Sequence, residues 1–145
     1  MEAVPERMAV AQGVFDIVTG VWPIVHLPSF EVVTGPKPEG WLVKTVGALI
    51  TVVGGTLVAA GLRRRVSPEV MLLAAGSAAA LAVVDVVYVS RRRISPVYLL
   101  DAVTEGVLVA GWGLAATRAW RKQRRTREAT TPRYTSPEDA AGFPT

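Results

Sequence analysis

The chain has 145 residues, enough for one domain, with half of them apolar and a net charge of +4. It contains no cysteine, which excludes disulfides, thiolate chemistry and thiolate-held metals. The apolar residues fall in four blocks with arginines beside them, and no nucleic-acid-binding motif accompanies those arginines, so the charge reads as topology signals and lipid-headgroup contact rather than nucleic-acid binding.

The predicted architecture is all-α: a four-transmembrane-helix antiparallel bundle with a disordered basic C-terminal tail. The expected helices cover about 8–27, 41–62, 68–90 and 96–120, and the tail covers 121–145. The leader, MEAVPER, is acidic as well as basic and no small-x-small cleavage site follows it, so a cleaved signal peptide is not expected. In the first helix, Gln12, Asp16, Thr19, Pro23 and His26 fall within a sector of roughly 80°, opposite a side of Val, Ile, Phe and Ala. Pro23 predicts a kink and Pro28 an ending nearby.

The connection over residues 29–40, SFEVVTGPKPEG, carries turn chemistry at Gly35-Pro36 and Pro38-Glu39-Gly40. Its apolar Phe30, Val32 and Val33 predict a loop that folds back over the helix ends. In the second helix, Trp41 suits an interfacial belt, Lys44 lies one turn in, and Gly55 with Ala59 forms a small-x-x-x-small pair suited to close helix approach. A short repeat, RRRVSP at 63–68 and RRRISP at 91–96, precedes each of the last two helices. Arg63, Arg64, Arg65, Arg91, Arg92 and Arg93 are expected at lipid headgroups, with Ser67 and Ser95 as N-caps and Pro68 and Pro96 in the first turn. Helix punctuation explains the repeat more simply than gene duplication.

Four crossings put both termini on one side. That side holds eleven Lys and Arg residues against five on the other, which favours cytoplasmic termini in a bacterial inner membrane. The second arginine triplet falls on the less basic side, where pairing with Asp85, Asp101 or lipid phosphate would lower its cost.

The chemistry-bearing residues are ionisable groups inside apolar helices. With the helices antiparallel in chain order, His26, Glu31, Lys44, Asp85 and Asp101 are expected to share one layer near the outer ends. Glu105 lies about 13 Å below the start of its helix and Asp16 roughly 18 Å below the outer end of the first. A charge at the centre of a spanning helix costs on the order of 2.5–3.5 kcal/mol, so these groups are expected to face inward and to pair or become neutral. The plainer reading of His26, Asp85 and Asp101 is that they reach headgroups and water. The pair Asp101/Glu105 lacks a histidine at helical spacing, so no metal site is expected, and phosphate loops, dinucleotide fingerprints and nucleophile elbows are absent. No cofactor is implied.

The segment Trp22-Pro23-x-x-His26-x-x-Ser29-Phe30-Glu31-x-x-Thr34-Gly35-Pro36-Lys37, followed by Trp41-Leu42-Val43, resembles a pattern in small bacterial four-helix membrane proteins of unassigned function. The resemblance covers roughly residues 10–113. It implies four helices and draws attention to His26, Glu31 and Lys37 at the outer mouth; it implies no catalytic role. A looser likeness to DoxX-like proteins rests on topology alone. Three functions stay open from the residues. The first is a binding or accessory membrane protein, with membrane lipids, a partner membrane protein or a second copy as partner. The second is a homo-oligomeric proton-coupled carrier using Glu105 or Asp16. The third is a membrane enzyme acting on a lipophilic substrate through the Asp101/Glu105 carboxyls.

Overall fold

The computed structural model describes residues 3–130, and among them every regular element is a helix. The elements are α1 (Ala3–Val25), α2 (Leu27–Thr34), α3 (Gly40–Leu62), α4 (Pro68–Ser90) and α5 (Tyr98–Thr130). All except α2 are long and apolar enough to cross a membrane. Twenty-three residues, the length of α1, α3 and α4, extend about 34 Å, slightly more than a hydrocarbon core.

The surface is inverted relative to a water-soluble bundle. Large apolar side chains face outward, Leu72 at 73% and Val52 at 68% exposure, while Gln12, Asp16, Asp85 and Glu105 are buried. In water that arrangement would expose apolar surface and desolvate charge at once; in lipid both costs reverse.

Each long helix neighbours the next along the chain and α5 closes the ring onto α1, but the packing is uneven. The closest pairing is α1 with α3, then α4 with α5. Glycine explains the first. A Cβ built on Gly13 would stand 2.5 Å from the carbonyl oxygen of Gly54, one on Gly20 2.5 Å from that of Gly47, and one on Gly61 2.6 Å from that of Glu6. These contacts recur at seven-residue intervals along both helices, two turns of an antiparallel left-handed pair. Only hydrogen fits between the backbones, and the Cα–H groups point at carbonyl oxygens. The expected small-residue pair Gly55/Ala59 is not this seam: Gly55 faces open space, and the adjacent Gly54 makes the contact.

The terminal half of the bundle, nearest the start of α1 and the α3–α4 connection, is solid. Ala9, Leu57, Ala74 and Trp112 form its core, with Met8, Val53, Val70 and Met71 packed around them. The other half, beneath α2, holds a cavity.

The two arginine repeats end α3 and α4 in the same way. Arg64 and Arg92 adopt left-handed φ values of 52° and 53°. The following residues donate back across the turn, Arg65 N–H to Ala60 O and Arg93 N–H to Tyr88 O, both at 2.9 Å. This is the Schellman closure, in which glycine usually takes the left-handed place. Beyond it the repeats diverge. Ser67 caps α4, its Oγ accepting from Val70 N–H at 3.4 Å. Ser95 instead opens a tight turn, with Tyr98 N–H donating to Ser95 O at 3.1 Å, so α5 starts at Tyr98 rather than at 96.

Three further boundaries differ from expectation. The first helix starts earlier and stops at Val25, because His26 takes a non-helical conformation (φ −146°, ψ 76°) and Pro28 falls in the first turn of α2. The expected loop therefore begins with a helix of eight residues, α2. At the other end, α5 runs ten residues beyond the expected stop at Trp120: residues 121–130, expected to be disordered, are helical. Their lack of an apolar stripe hid them, yet Arg, Lys, Gln and Glu are all good helix formers continuing an existing helix without paying nucleation. Residues 131–145 of the expected tail lie outside the described residues.

Candidate functional site

The site is assembled from the α2 elbow inward. Trp22 Nε1 donates to Ser29 Oγ at 2.8 Å, Ser29 Oγ donates to His26 O at 3.0 Å, and Ser29 N–H donates to His26 Nδ1 at 3.2 Å. The Trp22 ring meets Phe30 edge-on at 5.6 Å. Farther on, Glu31 Oε1 accepts from Lys37 N–H at 2.9 Å, and Lys37 Nζ donates to Thr34 O at 3.0 Å. The Lys37 ammonium also lies 4.8 Å from the centre of the Tyr98 ring, joining the elbow to α5. The polar residues of the Trp22–Lys37 segment thus hold α2 across the bundle end.

Beneath α2 lies a cavity of about 480 Å³. Its walls are mostly apolar: Phe15 and Trp22 from α1, Phe30 and Val33 from α2, Val43 and Ile50 from α3, Leu81 and Val84 from α4, and Ile94, Val97 and Tyr98 around the start of α5. Three carboxyls interrupt that lining: Asp85 from α4 and Asp101 and Glu105 from α5. Asp101 and Glu105 stand one turn apart on the same face of α5. A fourth acid, Asp16 of α1, lies within charge–charge range of Glu105 and Asp101.

These carboxyls have little to hold them. Glu105 is 1% exposed, Asp16 2% and Asp85 6%. Oε2 of Glu105 and Oδ2 of Asp85 are buried without a hydrogen-bond partner. Among the described residues none of the four acids forms an ion pair. Also among the described residues, no group of three or more His, Asp or Glu is arranged to hold a metal ion.

The cavity gives way to the solid half through one hydrogen-bonded relay. Gln12, one turn from Asp16 on α1, donates from Nε2 to Ala74 O at 2.9 Å and accepts at Oε1 from Trp112 Nε1 at 2.7 Å. Gln12 and Trp112 are both 1% exposed. One amide thereby ties α1, α4 and α5 together beside the shared core, and satisfies the indole N–H in a place that water does not reach.

Of the residues expected in one polar layer, the structure brings together Asp85 and Asp101, with Glu105 and Asp16 deeper. Lys44 is exposed on the outer face of α3 and pairs with none of them. His26 and Glu31 belong to the elbow, where they cap and brace α2. All six residues of the arginine triplets are exposed, and none pairs with Asp85 or Asp101. Sequence reasoning missed the partnership of Gln12 and Trp112. Their signals were present, since Gln12 shares a face with Asp16 and Trp112 with Glu105, but the sequence does not carry the rotation that turns these two faces toward each other.

Compared with known proteins, the chain matches no family model, no curated sequence and no solved structure.

Proposed function

We propose that this membrane protein is a binding protein whose intramembrane cavity takes up a small lipophilic molecule. The observation that carries the reading is the cavity itself: about 480 Å³, walled by apolar side chains from all five helices, with buried carboxyl oxygens that nothing in the protein satisfies. The packing of the other half favours binding over passage, because the Ala9–Leu57–Ala74–Trp112 core and the Gln12 relay block a continuous route.

The test is photolabelling of the protein in nanodiscs with the uncharged probe 3-(trifluoromethyl)-3-phenyldiazirine, followed by peptide mapping. Label is expected on Phe15, Leu81 and Tyr98, and it is expected to fall when Ile50→Trp fills the space. Label confined to lipid-facing positions such as Val52 and Val107, and indifferent to Ile50→Trp, would end the reading.

The arginine distribution supports a bacterial inner-membrane setting with cytoplasmic termini and the α2 elbow outside. Because the chain has no cysteine, Gly35→Cys and Arg64→Cys supply single reporters. In intact cells an impermeant maleimide is expected to modify the first and spare the second; the reverse pattern inverts the topology.

A further inference from the structure

We infer that the occupant of this cavity is a lipophilic organic cation, whose charged group settles among Asp85, Asp101 and Glu105 and displaces a proton held there. The inference rests on the cavity reading and adds the chemical class of the ligand. It stands on geometry first. Two of the three lining carboxyls carry a buried oxygen with no hydrogen-bond partner, and both belong to side chains more than nine-tenths buried. Unmet acceptors on side chains that line an otherwise apolar space fit a positive group attached to an apolar body.

The alternatives fit less well. A bare metal ion needs three or more ligands converging at bonding distance, and among the described residues no such convergence exists. An anion would face three acids. Among the described residues, the one basic side chain lining the cavity, Lys37, is at the α2 end, already donating to Thr34 O and resting on the Tyr98 ring. A neutral hydrocarbon would leave the carboxyl oxygens unmet.

The titratable groups around the site come from α1, α4, α5 and the elbow, and none comes from α3. Asp85 of α4 and Asp101 and Glu105 of α5 line it, and Asp16 of α1 lies within charge–charge range of Glu105. Glu31 and Lys37 stand at the elbow, Tyr98 lines the wall, and Lys44 of α3 points away. Four acids without an ion-pair partner cannot all be ionised at low cost in this setting, so protons reside on the cluster when it is empty. The exchange balances: one organic cation enters, one proton leaves, and the net charge of the site is unchanged.

The probe is benzyltrimethylammonium, a fixed charge that has no proton of its own, compared with its uncharged carbon isostere neopentylbenzene. Binding is measured calorimetrically on the full chain in nanodiscs, with empty nanodiscs subtracted, in two buffers of different ionisation enthalpy. The cation is expected to bind at least about tenfold tighter than the isostere and to release about one proton. Its affinity is expected to rise by up to about tenfold per pH unit over part of the interval from about pH 5 to pH 9. Glu105→Gln is expected to reduce both the preference for the cation and the proton release. Where that variant does not fold, the isostere comparison and the pH series on the unaltered protein decide alone. If the isostere binds as well as the cation and no proton is released, the cation inference is overturned while the cavity reading stands. If neither compound binds at a site sensitive to Ile50→Trp, both fall.

Discussion

Gly54→Leu is expected to break the α1–α3 pairing. The first added carbon would already lie 2.6 Å from Gly13 O, 2.8 Å from Asp16 Cβ and 3.0 Å from Ile17 Cγ1. A carbonyl oxygen in the middle of a helix cannot swing aside as a side-chain terminus does, so the two helices must separate along several turns. That separation also loosens the Gly20/Gly47 and Glu6/Gly61 contacts in the same register. Overpacking a core ordinarily costs about 1–3 kcal/mol; here the yielding partner is backbone, and a loss of about 3 kcal/mol or more is expected. Unfolding in mixed micelles, followed by helicity, measures it. Gly55→Leu is the control, because a Cβ at Gly55 meets nothing within 4 Å, and it is expected to leave stability nearly unchanged. Equal damage from both would mean that the seam does not run through Gly54.

Trp112→Ala is expected to cost about 3–5 kcal/mol, the range for deleting a large buried aromatic. The indole is 1% exposed and packs at the centre of the solid half with Ala9, Leu57 and Ala74, all small or fully enclosed, so no neighbour is large enough to refill the space. Trp112→Phe separates the volume of the ring from its N–H. It keeps most of the packing and leaves Gln12 Oε1 without its donor, at a cost of about 1–3 kcal/mol. Combining Trp112→Phe with Gln12→Leu is expected to cost less than the two single changes added, since each single change orphans the other's partner. Strict additivity would show that the 2.7 Å hydrogen bond carries no coupling. Because the relay lies where cavity meets core, Trp112→Ala is also expected to enlarge the space available to the photoprobe.

The cavity and the seam have a common origin. Glycine lets α1 and α3 close to backbone contact, while α4 and α5 pair separately around Ala74, Ala78 and Trp112. The two pairs meet through the Ala9–Leu57–Ala74–Trp112 core and Gln12 and, at the elbow end, through larger side chains that do not fill the space between them. Into that space project the acids of α4 and α5. The residues of the elbow that resembled a site, His26 and Glu31, are spent on shaping α2, and the unsatisfied oxygens below it belong to Asp85 and Glu105.

The sequence by itself determined the membrane setting, the long helices and most of their limits, because those depend on summed hydropathy and on local breakers such as Pro28 and the Ser67-Pro68 cap. It also marked Asp16, Asp85, Asp101 and Glu105, since an acid within an apolar span stands out without reference to any neighbour. The seven-residue glycine spacing at 47, 54 and 61 was present as well, but it competed with Gly55/Ala59, and nothing local distinguishes one small-residue face from the next. The tertiary structure alone decided which faces turn inward. Helix rotation is set by the simultaneous packing of all neighbours, so it alone put Lys44 outside, closed Gln12 onto Trp112 and gathered acids from α1, α4 and α5. The helical course of residues 121–130 was hidden for another reason: it continues a helix already nucleated, and periodicity registers burial rather than continuation.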